Sequence, residues 1–352
     1  ALEDAGTYTN GKYIYVNSWD ALHQYDADGK LVAEKKMDAD GRILQAFLGE
    51  KYIYIICGAN EGDSYQQTLY VLDAADVRKT VDLGELKERS GKGAFIDKDK
   101  RWAEHAKIVT PDVELYYIGS CQREKAKGGD VSYSLTIKDA SKGYFFNPVM
   151  VNKKTGERVY QEEFDLQDGK LLASYKDTLY AWDFWDESKE FCIYKTNANG
   201  KSEELYQSEK YKPVDMKVSG NMLMLQLEDY RLGGMEHYTG AGYEAARYRD
   251  GELIYYDMEK QKITAKYELE KEQAVFMSAD AYATFKDGKV SYYKTGQDTP
   301  LWTKKIKGYK TGKGDEIIRY DFQTYGDKLY VVYVDDESGE NMRIMDVMEL
   351  EK

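Results

Sequence analysis

The stretch Gly11-Lys-Tyr-Ile-Tyr-Val16, followed by Leu22-His-Gln-Tyr-Asp-Ala-Asp-Gly29 and by Leu31–Lys36, decides the fold. Tyr13 and Tyr15 alternate with their neighbours, so this run presents one face to a core at the two-residue period of a strand. The Asp-Gly turn at 28–29 then reverses the chain into a further strand, as a hairpin requires.

The same phrase returns along the chain. Its first strand recurs as Gly49-Glu-Lys-Tyr-Ile-Tyr-Ile55, Val113-Glu-Leu-Tyr-Tyr-Ile118 and Lys176-Asp-Thr-Leu-Tyr-Ala181. It recurs again as Gly220-Asn-Met-Leu-Met-Leu225, Ala279-Asp-Ala-Tyr-Ala-Thr-Phe285 and Gly326-Asp-Lys-Leu-Tyr-Val-Val-Tyr333, which makes seven copies. Each is followed by a second strand ending in a turn, for instance Leu69-Tyr-Val-Leu-Asp73 or Leu253-Ile-Tyr-Tyr-Asp257. The first six copies also show a third strand, and the seventh reaches Lys352 without one.

Strand–turn–strand units averaging about 50 residues are the signature of a β-propeller, in which neighbouring sheets cover one another's faces. The expectation is an all-β, seven-bladed β-propeller forming one domain over 1–352. Its approximate blades are 1–38, 43–84, 93–164, 168–208, 213–269, 274–307 and 313–352. Six or eight blades are the alternatives, because the first strands are unevenly spaced. The single helix expected is short, near 97–107, where Trp102 and Ala106 stand four apart.

The phrases Tyr292-Tyr-Lys-Thr-Gly-Gln-Asp-Thr-Pro-Leu-Trp302 and Val151-Asn-Lys-Lys-Thr-Gly-Glu-Arg-Val-Tyr160 resemble the repeat of PQQ-like, quinoprotein-type propellers within the wider WD40-like group. In that repeat a strand ends in Asp-x-x-Thr-Gly and leads to a strand bearing Trp. Trp302 holds that place here, with Tyr160, Tyr206 and Tyr267 near it in other copies. The resemblance implies a fold, and many such propellers are non-catalytic envelope or binding proteins.

Composition bounds the function. The 352 residues carry 63 Asp+Glu against 50 Lys+Arg, a net charge of −13, which argues against unaided nucleic-acid binding. Hydrophobic residues make up 42 % and 33 residues are Tyr, so the chain is neither disordered nor short of core. No apolar run is long enough for a transmembrane helix. The three cysteines are odd in number and widely spaced, against both a disulfide framework and a cysteine zinc site. The opening Ala-Leu-Glu-Asp suggests a trimmed N-terminus, in keeping with an extracellular or envelope-associated lipoprotein.

Three segments carry the candidate chemistry. An insertion between the first and second repeat strands of the fifth copy holds Tyr230, Arg231, His237, Tyr238, Tyr243, Arg247, Tyr248 and Arg249, and Tyr and Arg favour recognition surfaces. Trp182 and Trp185, with Tyr180 and Phe184, read either as sheet packing or as a sugar-stacking platform flanked by Asp183 and Asp186. A second insertion at 122–143, rich in Lys and Gly, reads as a solvated excursion. The phrase Asp26-Ala-Asp-Gly29 resembles half a calcium loop but lacks its closing Glu, and Asp and Gly are also what tight turns require. His23, His105 and His237 show no metal-like spacing. Phosphate-loop and nucleophile-elbow motifs are absent.

The expected function is therefore a non-catalytic binding or scaffold propeller, monomeric, without cofactor or metal, recognising a protein or a glycan. The alternative is an enzyme acting on a glycan or small metabolite in an axial funnel.

Overall fold

A computed structural model of the chain describes residues 6–18, 20–37, 42–58, 66–96, 102–117, 119–137, 149–154, 158–159, 170–175, 178–185, 190–197, 202–229, 250–310, 318–335 and 341–351. Among the described residues there are only strands, turns and bends.

The first sheet is an antiparallel run of β1 (Gly6–Thr9), β2 (Tyr13–Asn17), β3 (Ala21–Asp26) and β4 (Leu31–Lys36). The second begins with β5 (Arg42–Leu48), β6 (Tyr52–Gly58), β7 (Gln66–Asp73) and β8 (Asp76–Thr80). The third contains β9 (Glu88–Ile96), β10 (Trp102–Val109) and β11 (Val113–Tyr117). A hairpin of β12 (Gly119–Lys125) and β13 (Val131–Ile137) intervenes, and β14 (Val149–Asn152) and β15 (Arg158–Val159) then complete the third sheet.

The fourth sheet is β16 (Lys170–Tyr175), β17 (Thr178–Trp185), β18 (Glu190–Asn197) and β19 (Ser202–Ser208). The fifth is β20 (Tyr211–Ser219), β21 (Met222–Asp229), β22 (Gly251–Asp257) and β23 (Lys262–Leu269). The sixth is β24 (Gln273–Met277), β25 (Ala281–Lys286), β26 (Lys289–Lys294) and β27 (Trp302–Lys305). The last holds β28 (Ile318–Tyr325), β29 (Lys328–Asp335) and β30 (Asn341–Glu349).

The chain is thus an all-β β-propeller of consecutive meanders. Each repeat copy supplies two adjacent strands of one sheet. Six sheets reach four or more strands and the last has three, so the complete blades number six, the alternative count, rather than the expected seven. The reason is local: no fourth strand pairs with β30 among the described residues.

Two further expectations are corrected. Trp102–Val109 is strand β10, paired with β9 and β11, and not a helix. A spacing of four is also two strand periods, and Glu104, Ala106 and Ile108 follow that period, the register shifting between Trp102 and Glu104; 97–101 lies outside the described residues. Nor is 122–143 a solvated excursion where it is described. β13 pairs with β7, Tyr133 opposite Leu69 and Leu135 opposite Gln67, and so extends the second sheet. Val131, Tyr133 and Leu135 are buried, the alternation that Lys and Gly at the hairpin tip obscured.

The chain divides into two compact units. One comprises 1–16, 24–32 and 210–352, the other 17–23 and 33–209, and the first sheet contributes residues to both. In the second unit, one core gathers Phe47, Tyr54 and Val71 with Leu115, Tyr133 and Met150, drawn from the second and third sheets. Each large side chain so buried is worth roughly 1.5–3 kcal/mol.

Within the first unit, β1 packs on β28, where the Thr7 hydroxyl donates to Asp321 Oδ2 at 2.9 Å. The turn at 26–30 sits against β30, whose Ile344 N–H donates to Ala27 O at 3.1 Å. Gly29 has φ +88°, and a Cβ there would lie 1.9 Å from Met342 O. Only glycine satisfies both the left-handed turn and the close approach.

The Asp-rich turns have a structural use. Asp26 Oδ1 accepts from the backbone of Asp28 and Lys30 at 3.1 and 2.9 Å. Asp73 accepts from Ala75 N, Asn152 from Lys154 N, and Asp257 from Glu259 N and Lys260 N. An Asx-type side chain at the end of a strand in each case replaces a backbone partner and fixes the turn. Two similar Asp-bearing phrases in the sequence, Asp38-Ala-Asp-Gly41 and Asp97-Lys-Asp99, lie outside the described residues.

Candidate functional site

In the fifth sheet, β21 and β22 stay paired along their length, from Met222 opposite Asp257 to Glu228 opposite Gly251. Beyond that pair, Asp229 N–H donates to Asp250 O at 2.9 Å. The inserted segment 230–249 therefore leaves and returns through a closed, hydrogen-bonded foot. Gly251 makes this possible, because a Cβ there would meet Leu227 O at 2.2 Å.

Charged groups surround the foot. Lys271, with φ +52°, donates its N–H to Asp250 Oδ1 at 3.2 Å. Lys286, at the end of β25, donates to Glu270 O at 2.6 Å and lies 3.7 Å from Glu272 Oε1. Lys210 Nζ donates to the Tyr211 hydroxyl at 2.6 Å and sits 4.5 Å from that ring's centroid. The Tyr211 hydrogen bond first, then the nearby Asp229 and Asp250 carboxylates, hold Lys210 above the usual lysine range. Asp229 itself is buried opposite Tyr211. Carboxylates and ammonium groups thus lie near the ends of the two strands and can offer charge-assisted hydrogen bonds there.

Tyr230, Arg231, His237, Tyr238, Tyr243, Arg247, Tyr248 and Arg249 lie outside the described residues. Trp182 stands opposite Ile193 in β18 and Trp185 opposite Glu190, while their neighbour Tyr180 is fully buried. Sequence reasoning missed Lys210, Tyr211, Asp250, Lys271 and Lys286. The signal available for them was that Asp229 and Asp250 bracket the insertion; the lysines come from other turns of the fifth and sixth sheets and have no linear trace.

Among the described residues, no group of three or more His, Cys, Asp or Glu is placed to hold a metal ion, and no helix is long and apolar enough to cross a membrane.

No family model matches the chain, and no curated protein matches it. Among solved structures it is similar to the hydrazine synthase of Kuenenia stuttgartiensis, at 11 % identity over 99 % of this chain and 95 % of that one, with a TM-score of 0.42. It is also similar to the β-propeller domain of Nup133 from Vanderwaltozyma polyspora, at 12 % identity over 97 % and 91 % and a TM-score of 0.35. The C-terminal WD40 domain of Sif2 is similar at 11 % identity, covering 93 % and 92 %, with a TM-score of 0.38.

Proposed function

We propose that the protein is a binding or scaffold propeller of the extracellular or envelope space, and that 230–249 is its recognition element for a protein or glycan. The closed foot carries this reading. Asp229 and Asp250 meet through the backbone, so the sheet is complete without the insertion and the intervening 20 residues are surplus to the blade. Such a segment on a rigid base is where recognition residues concentrate. Its four Tyr and three Arg supply the large contact area and charge-assisted donors that binding interfaces favour.

The test replaces 230–249 by Asn-Gly, joining Asp229 to Asp250 through a tight hairpin turn. The shortened chain is expected to keep its circular dichroism and melting temperature and to lose its ligands on glycan arrays and in pull-downs from envelope extracts. Retention of every ligand by the folded, shortened chain refutes the assignment.

A further inference from the structure

We propose that Ser18, His23 and Glu34 form a nucleophile–base–orienter triad able to take up the acyl group of a small carboxylic ester. The three residues belong to the unit that does not hold the insertion, so this site stands apart from the recognition reading.

Ser18 follows β2, His23 lies on β3 and Glu34 on β4. The Ser18 hydroxyl is 3.2 Å from His23 Nε2. On the far side of the same ring, Nδ1 lies 3.3 Å from Glu34 Oε2. A carboxylate accepts and never donates, so it selects the tautomer with hydrogen on Nδ1. Nε2 is then left with a lone pair facing the hydroxyl. This is the relation in which an imidazole takes a proton from serine and a carboxylate steadies the imidazolium that forms. His23 and Glu34 keep 24 % and 35 % of their side-chain surface exposed, so the site is open to a small molecule from solvent.

The other hydroxyls at comparable turns show what a purely structural role looks like. Thr110 accepts from Val113 N and donates to Val113 O; Ser278 does the same with Ala281. The Ser18 hydroxyl also lies 3.2 Å from Ala21 O, so its one hydrogen goes either to that carbonyl or to Nε2. The turn is closed without it by the Ser18 N–H, which donates to Ala21 O at 2.9 Å, and the turn accounts for neither the ring on the hydroxyl nor the carboxylate behind the ring.

In the step, Ser18 Oγ bonds the ester carbonyl carbon while its proton passes to His23 Nε2. The carbon–oxygen bond to the alcohol then breaks, and the alcohol leaves with that proton. Water adds to the acyl-serine with His23 again taking a proton. The serine ester bond breaks, the acid is released and Ser18 recovers its hydrogen. The chain's net charge of −13 disfavours anionic esters, so the substrate class is a short neutral or cationic ester.

The test treats the full-length chain with a fluorophosphonate probe and maps the adduct by peptide mass spectrometry, with p-nitrophenyl acetate hydrolysis in parallel. A phosphonyl adduct on Ser18 of the unaltered protein is expected, and this readout needs no variant to fold. Ser18→Ala abolishes the adduct, and His23→Ala slows labelling by at least about 100-fold, the usual contribution of a general base. Glu34 acts through His23 as a positioning residue. Glu34→Gln therefore slows labelling while Glu34→Asp restores most of the rate, a rescue that fastening of the turn alone does not produce. Ser278→Ala labels like the unaltered chain. Absence of an adduct on Ser18, or labelling of Ser18 that ignores loss of the His23 ring, overturns the proposal.

Discussion

The hairpin β12–β13 is grafted into the third repeat copy yet builds the second sheet, and Tyr133 measures how firmly. Its side chain is fully buried in the core that also holds Tyr54, Val71 and Leu115. Its hydroxyl accepts from Leu83 N at 2.8 Å and donates to Gly84 O at 3.1 Å, fastening the segment between β8 and β9. Tyr133→Phe leaves both backbone groups without that partner and is expected to cost about 1–3 kcal/mol. Tyr133→Ala also empties the ring's volume, and large-to-small changes of this kind cost about 3–5 kcal/mol. The exposed tip residue Lys127, changed to Ala, should stay within about 0.5 kcal/mol. Urea unfolding of the full chain gives the midpoints, and hydrogen exchange over 119–137 locates the effect. If Tyr133→Ala shifts stability by less than about 1 kcal/mol, with amides at 131–135 exchanging as fast as those of the tip, the hairpin is not part of the sheet and the reasoning fails.

Two other outcomes follow from the turns. Gly29→Ala combines a left-handed φ with a collision against Met342 O and should cost about 2 kcal/mol or more. Gly220→Ala, also left-handed at φ +57° but facing open space, should cost only the conformational part, about 1 kcal/mol, so the difference in their urea midpoints isolates the collision. Asp257 is held down to about 2 by the backbone and side chain of Lys260 and by Asn221, and Asp82 to about 2, chiefly by Arg123. A depressed carboxylate stabilises above its unfolded value and loses that contribution as pH falls through its folded value. The melting temperature should therefore drop as pH falls from about 4 toward 2, and Asp257→Asn should flatten that limb; an unchanged slope would count against these partners.

The seven strand pairs were legible because their chemistry is local. Tyrosine and β-branched residues at alternate positions, with Asp or Asn at the strand end, state both the face and the turn within about ten residues. What failed was information carried between strands. Trp102 and Ala106 suit either period, and only the pairing of Ala106 with Ser90 and Tyr117 settles it. The register of β13 on β7 joins residues more than 60 positions apart, so Lys and Gly at 125–129 masked the apolar face that Val131 begins. No recognisable spacing marks the partners of His23, because Ser18 reaches it from the end of β2 and Glu34 from β4, and no motif in sequence encodes that meeting.

This separation also bears on where the acidic residues work. Asp26, Asp73 and Asp257 end third strands, and each spends a carboxylate oxygen on the backbone of its own turn. Part of the excess of acid over base is therefore a property of the repeat's turns in the first, second and fifth sheets and carries no information about ligands. The carboxylates that the turns do not explain are different in kind. Glu34 lies mid-strand and meets an imidazole, and the Asp229 side chain is buried where the inserted segment departs. A functional site in this fold is accordingly sought by first removing every acid that fastens a turn and then asking which of the others face a second chemistry. By that criterion the Ser18–His23–Glu34 group and the foot of the insertion are separate sites, and variants in one are expected to leave the readout of the other unchanged.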